Sequence, residues 1–225
     1  MFIDDFVTKR IRARMQELTL RQAIELCQIP DQLNELGISR ALSMIVIETN
    51  LPLDEWTAQE RIAAICHYII AQESGDWRIA QNAMMSDYVM PLDYPNEVYS
   101  FDDLQIVPLT GAYLEAIERI QHQTRGDWLL AAMAASIINP AEPWHGSPDE
   151  FVRKNIEQLK DLSESDFLLL LGHFQAAQNH LKHLVEIEFS QEGLVVLPQK
   201  GGDELPSIQF RFDTIMGQTT RQLWN

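Results

Sequence analysis

The 225-residue sequence predicts a mainly α-helical fold, a bundle-like body carrying a small C-terminal antiparallel β-hairpin or three-stranded sheet. Three observations predict it. Apolar residues recur at three- and four-residue intervals through most of the chain, the spacing of one helix face. Helix-start pairs stand as Thr57-x-x-Glu60 and Ser163-x-x-Asp166, where a hydroxyl accepts a backbone N–H and the acid reaches back. Alternation with period two is sustained only between residues 185 and 212.

In chain order, residues 5 to 28 read as helix, with Phe6, Ile11 and Met15 first, then Thr19 as a cap before Leu20, Ala23, Ile24 and Cys27. Pro30 closes this segment and opens the next, which carries Leu33, Leu36, Leu42, Ile45 and Val46 and fades at Glu48–Asn50. The best-specified helix spans Asp54 to Ala71. Ile62, Ile65, Cys66, Ile69 and Ile70 make its apolar face, with Glu60, Arg61 and Gln72 pointing away, and Gly75 terminates it. The tripeptide Gly75-Asp76-Trp77 returns as Gly126-Asp127-Trp128, a joint in which glycine ends one helix, aspartate caps the next and tryptophan fills the corner.

Three regions follow: a helical region 1–86 with a basic arm over 1–21, an irregular acidic and aromatic connector 87–108, and a helical region 109–225 ending in the hairpin of 185–212. In the connector, Val98, Tyr99, Phe101, Leu104 and Ile106 suggest an extended segment or one edge strand, with Pro91, Pro95 and Pro108 blocking any central position in a sheet. Beyond it, Tyr113, Leu114, Ile117 and Ile120 mark a helix opening at Thr110. An alanine-rich helix runs from Trp128 to Ile138 and stops at Pro140, and another covers Phe151–Leu162. The helix after Ser163 begins with an all-round apolar turn and a half, which predicts a central position. Val185, Ile187 and Phe189, the turn Gln191-Glu192-Gly193 and Leu194–Leu197 form the hairpin, with Ser207–Phe212 as a third strand.

Charge narrows the partners. Seventeen basic against 33 acidic side chains give −16, which repels nucleic acid and anionic lipid from most of the surface. Residues 1–21 reverse the sign locally, with Lys9, Arg10, Arg12, Arg14 and Arg21 against Asp4, Asp5 and Glu17. Such an arm folds back on its own chain, binds an acidic neighbouring copy, or touches nucleic acid. No apolar run reaches the length of a membrane span, and the first residues lack the pattern of a secretory signal. Cys27 and Cys66 both sit in apolar helical patterns and read as reduced core residues.

Chemistry is sparse. His173, His180 and His183 share one helix, with His180 and His183 three apart, so a metal-dependent hydrolase using His180 and His183 stands as an alternative of another class. It is short of ligands, because no H-E-x-x-H occurs and the cysteines are distant. Cys66 and His67 are adjacent and point about 100° apart on a helix, which spoils a thiolate–imidazolium pair. No phosphate-binding glycine loop or nucleophile elbow is present. The sequence nominates no catalytic, cofactor-binding or metal-ligating residue and no cofactor.

Within Leu18–Tyr68, the runs TLRQAIELCQIPDQLNELG and EWTAQERIAAICHYI resemble the N-terminal half of tail and baseplate proteins of contractile-tailed and related bacteriophages. The second half adds Pro108-Leu109-Thr110-Gly111 before AYLEAIERI, Asp127-Trp128 before AAMAAS, and Glu192-Gly193-Leu194 before a glycine-rich loop, similar in order and spacing. The resemblance implies a non-enzymatic component of the phage tail or baseplate, made in the host cytoplasm and carried in the virion. It implies other tail proteins, or further copies of itself in a symmetric assembly, as partners. A tail-assembly chaperone absent from the finished particle is the alternative. Some proteins of this kind carry cysteine pairs for metal near the C-terminus; here no cysteine follows Cys66, and that feature does not transfer.

Overall fold

Residues 5–19 hold two short strands, not the helix their apolar spacing suggests. Arg12–Met15 (β2) alternates exposed arginines with buried Ala13 and Met15, and pairs antiparallel with Phe6–Val7 (β1). The turn between them is fixed by the Thr8 hydroxyl, which accepts from the N–H groups of Arg10 and Ile11. Helix begins only at Leu20–Cys27 (α1), where Thr19 and Gln22 form a complete capping box. The structure is a computed structural model describing residues 3–72, 78–80, 83–90, 98–120, 124–191, 193–199 and 205–210.

Helix α2, Asn34–Ile45, starts four residues later than Pro30, which instead accepts the Leu33 N–H in the preceding turn. It runs directly into Val46–Thr49 (β3), which pairs with β2 and completes a β1-β2-β3 sheet. A single 3-10 turn over Leu53–Glu55 then leads to Ala58–Gln72 (α3). Its predicted box is present: the Thr57 N–H donates to Glu60 at 2.8 Å and the Glu60 N–H to the Thr57 hydroxyl at 3.3 Å. Glu60 and Arg61 were expected to face away from the core; both are 1 % exposed, because the hairpin and a later helix cover the side they occupy.

Arg78–Ala80 (β4) and Ala83–Met84 (β5) form a small pair. The joint at Gly75–Trp77 and Pro91 and Pro95 lie outside the described residues. The stretch expected as an irregular connector holds a second hairpin, Tyr99–Phe101 (β6) with Leu104–Ile106 (β7), turned at Asp102 with φ 46°. Then come Gly111–Glu118 (α4), Arg125–Ser136 (α5), Ile137–Ile138 (β8), which pairs with β7, and Pro148–Lys160 (α6). Gly126 and Asp127 do not end one helix and cap another. Both lie inside α5, whose cap is Thr124, with Asp127 closing the box from the third position.

This second run repeats the first. Hairpin, two helices, a strand added to the hairpin, then a boxed helix occur twice, and the two helices and the added strand are displaced by 91 positions: 20 to 111, 34 to 125 and 46 to 137. The two short helices have eight residues each and the two long ones twelve. Met15 pairs Val46 as Ile106 pairs Ile137, and the Gln16-to-Ile45 backbone bond at 2.7 Å recurs as Val107-to-Ser136 at 2.9 Å.

An extension follows. Ser163 caps Glu164–Leu181 (α7), which leads through the left-handed Leu184 (φ 59°) to the predicted hairpin, Glu186–Ser190 (β9) and Gly193–Leu197 (β10). Gly193 has φ 110° and packs against the Trp128 ring; a side chain there would be strained by the left-handed backbone. Of the third strand, Ile208 bridges Val196; Arg211 and Phe212 lie outside the described residues. Helix α7 is not central at its start: Leu168 is 58 % and Leu169 64 % exposed, Phe167, Leu170 and Leu171 pack on the core from its edge, and the helix is fully buried at Phe174, Ala177 and Leu181. With seven helices and four small antiparallel sheets among the described residues, the class is mixed α+β, and the expectation of a mainly helical bundle is corrected. The sequence shows too few alternating residues per strand, two to five, for period two to stand out from helix spacing.

Candidate functional site

Where the two units meet, the starts of α3 and α4 run side by side. Thr57 bridges Thr110, the Ala58 N–H donates to the Leu109 carbonyl at 2.8 Å, and the Gly111 N–H to the Trp56 carbonyl at 2.9 Å. Arg61 lies across this seam. Its Nη2 donates to the Glu35 carbonyl at 3.0 Å and the Ser39 hydroxyl at 2.9 Å, and it sits 3.5 Å from Glu35 Oε2. Gly111 leaves the room: a Cβ there would collide with Arg61 Nη1 and stand 3.3 Å from the Leu53 carbonyl.

From the other unit, α4 supplies carboxylates. Glu118 accepts the Glu35 N–H at 2.6 Å and the Leu36 N–H at 3.0 Å, the orphan donors in the first turn of α2. That helix has Leu33 at its cap position and no capping side chain of its own. Glu115 accepts the Ser39 hydroxyl and pairs with Arg119, whose Nε and Nη2 grip Asp149 at 2.9 and 2.7 Å. One chain of polar contacts therefore links α3, α2, α4 and the start of α6.

Burial sets the proton affinities. Desolvation raises Glu35 above the usual carboxylate range, and the nearby Arg61 opposes it. Desolvation also lowers Arg61, against the pull of Glu35, Glu115 and Glu118. It pushes Glu118 up to about 7, although the two backbone N–H groups pull the other way. Such a value suits a proton donor or acceptor. Yet both Glu118 oxygens are taken by α2, and none of Glu35, Arg61, Glu115 or Glu118 lines either of the two cavities described below. The cluster clamps two units together. Sequence reasoning missed it, since its only local sign is Gly111, a poor helix former placed first in a helix.

The predicted histidines separate. His173 stacks on Phe101 at 4.3 Å with its Nδ1 3.4 Å from the Tyr99 hydroxyl, and His180 sets its ring against Tyr99 at 5.8 Å. His183 lies past the end of α7, 1 % exposed, with Nδ1 3.0 Å from the Leu181 carbonyl. Among the described residues no three His, Cys, Asp or Glu side chains are grouped to hold a metal ion. Cys66 is buried, which pushes its thiol up and away from reactivity. The basic arm docks on its own chain: Arg10 meets Glu60 at 3.3 Å, Arg14 meets Glu48 at 3.3 Å, and the Asp4 carbonyl lies 2.9 Å from His67 Nε2.

Two cavities flank the extension. One, about 420 Å³, lies between α7 and β9, closed by Gln59 at the start of α3 and by Arg125 and Leu129 of α5. The other, about 270 Å³, lies among α5, α6 and the first turns of α7, with Trp144, Leu159, Leu162 and Leu170 in its wall. Among the described residues no helix is long and apolar enough to cross a membrane. No family model, curated protein or solved structure matches the chain.

Proposed function

We propose that the protein is a non-enzymatic component of a bacteriophage tail or baseplate, made in the host cytoplasm and acting in the particle through contacts with other tail proteins. The observation that carries this reading is a contrast. The buried ionic groups are consumed in joining one half of the fold to the other, while the adjacent Leu168 and Leu169 stand open to solvent on α7 and Leu162, just ahead of that helix, is partly exposed. Large apolar side chains grouped on a surface mark contact with another molecule. The phage tail enters through the resemblance of the two sequence halves. An acidic body of net charge −16 agrees with a role away from packaged nucleic acid.

Mass spectrometry of purified particles of the encoding phage tests it. Near-stoichiometric recovery relative to a major tail protein is the expected result. Loss from finished particles, with tail assembly failing in a deletion strain, would replace the reading with an assembly chaperone. The double substitution Leu168→Glu and Leu169→Glu should leave the circular dichroism spectrum intact and remove the protein from particles.

A further inference from the structure

The smaller cavity, about 270 Å³, is walled to receive apolar side chains. The α6 residues that face it, Phe151, Lys154, Asn155, Gln158 and Leu159, are spaced three and four apart. It therefore runs along that helix for more than two turns, about 12 Å. Leu162 and Leu170 close the end towards α7, and Trp144 stands at the Phe151 end. Trp144 is fixed in place: its Nε1 donates to the Ser147 carbonyl at 3.1 Å and its ring lies 5.7 Å from that of Phe151, leaving it 37 % exposed. A wall already rigid before a guest arrives adds little ordering cost to binding.

Charge around the mouth specifies the occupant. Glu142 lines the cavity, Asp161 follows Gln158 by three positions, Asp166 lies one turn before Leu170 on α7, and the turn Asp102-Asp103 immediately precedes the lining Leu104. All five acids are exposed, and none is in an ion pair among the described residues. The single cation in the wall, Lys154, is drawn over the Trp144 ring at 5.1 Å. A mouth of this sign on a body of net charge −16 repels a second copy, and the basic arm of the chain is spent on Glu60 and Glu48 through Arg10 and Arg14. Most of the wall is helix, whose backbone groups bond internally, so a guest must satisfy its own backbone. We propose that this groove receives a basic amphipathic helix of a partner protein. Its apolar face enters between Trp144 and Leu170, and the lysine or arginine side chains flanking that face meet Glu142, Asp161 and Asp166. This names the chemistry of the partner for the protein–protein role above and rests on that reading.

The test uses the full-length protein and three acetylated, amidated peptides of about fourteen residues. The first has leucines spaced three and four apart with lysines elsewhere, the second is its twin with glutamate for lysine, and the third scrambles the first so that its leucines no longer share a face. Titration followed by amide chemical shifts should give the first a Kd of about 1–50 μM, with the largest shifts at residues 151–162. The other two should not bind at about 1 mM. Raising the salt from about 0.05 to 0.5 M should weaken the first about tenfold. Glu142→Lys combined with Asp161→Lys, both at exposed positions, should weaken it about tenfold at low salt and leave the circular dichroism spectrum unchanged. Gln158→Trp, which fills the groove from the exposed side of α6, should abolish binding, so a folding defect in one variant does not decide the outcome. Equal binding of the twin or the scramble, a Kd indifferent to salt and to the charge reversals, shifts centred elsewhere, or no binding at about 1 mM would overturn the proposal. So would sedimentation showing that two copies of this chain meet through the groove. Peptide binding by a protein missing from purified particles would remove the tail-component reading and leave the groove assignment standing; a protein recovered in particles that ignores the first peptide would do the reverse.

Discussion

The two units differ most at the places where they should be most alike. In the first, α1 carries its own capping box on Thr19, but α2 has Leu33 at its cap and borrows Glu118 from the second unit. In the second, the pattern inverts: α5 carries its own box on Thr124, while Thr110 at α4 makes no capping bond and bridges Thr57 instead. The two helix starts without a cap of their own both lie at the junction, beside the boxed start of α3. A repeated unit stable by itself would keep both caps, so the difference teaches that the halves are built to be completed by each other.

Removing the shared cation should have the largest effect. Arg61→Leu leaves Glu35 buried at 3 % exposure without its ion pair and strips the Ser39 hydroxyl of a donor. Breaking one side of a buried pair costs roughly 3–5 kcal/mol, so the urea midpoint should drop sharply, with loss of cooperativity between the halves. An unchanged midpoint would mean that the junction contributes nothing.

Gly111 and Leu20 occupy the same place in the two units, 91 positions apart, and should respond oppositely to the same residue. Gly111→Ala drives a methyl group into Arg61, which is hemmed in and cannot move aside, and should cost about 2–3 kcal/mol. Leu20→Ala, at 56 % exposure, should change stability by less than about 0.5 kcal/mol. Comparable losses at both sites would show that the duplication extends to the packing and that the junction is not special.

Much of this was legible from local rules. The Thr57/Glu60 and Ser163 starts, the hairpin of β9 and β10 and the core position of Cys66 all follow from residues a few positions apart. The duplication was not. Between Ala13 and Ile47, only Leu18, Thr19, Ile29, Gln32, Ala41 and Ile47 meet an identical residue 91 positions on, because burial demands an apolar side chain at a site and not a particular one. The seam was hidden for a different reason. Glu35, Arg61 and Glu118 are ordinary helix-surface residues by spacing, and only the long-range approach of α4 turns their exposed faces into an interior. The leucine run of α7 errs in the other direction: apolar residues all round a helix end predict burial, yet Leu168 and Leu169 lie open.

Acidity offers a graded way to loosen the seam. Glu118 holds its proton to about 7 in the folded chain, against an ordinary value of 4.5. Between those limits the folded state binds more protons than the unfolded one, so stability falls as pH rises from about 4.5 to 7 and stays at its lower level above. Glu35, also raised, slopes the same way. Asp149, lowered by its bond to Arg119, acts only in more acidic solution, where stability is lost as pH falls. The drop from pH 5 to pH 8 should be about 1–2 kcal/mol once partial exposure is allowed for. Glu118→Gln keeps an acceptor for α2 and removes its titration, so the unfolding midpoint should fall less steeply across this range, with only the slope of Glu35 left. A parent protein that is already level would remove Glu118 from the account.

The smallest effects test the cap inversion itself. Thr19 and Thr124 each accept a backbone N–H at the start of their helices, at 3.3 and 3.2 Å, and alanine at either position should cost about 1 kcal/mol. Thr110 is the 91-residue counterpart of Thr19, yet its side chain makes no capping bond and its place is fixed by the backbone bonds of its neighbours, Leu109 with Ala58 and Gly111 with Trp56. Thr110→Ala should therefore lose less than half of what Thr19→Ala loses. Glu118→Ala, which uncaps α2 from the far unit, should cost at least as much as Thr19→Ala when both are measured at pH 5, where repulsion among ionised carboxylates is least. Should Thr110→Ala prove as costly as Thr19→Ala, the helix starts at the seam would be self-sufficient, and the halves would have to be regarded as two independent units that merely touch.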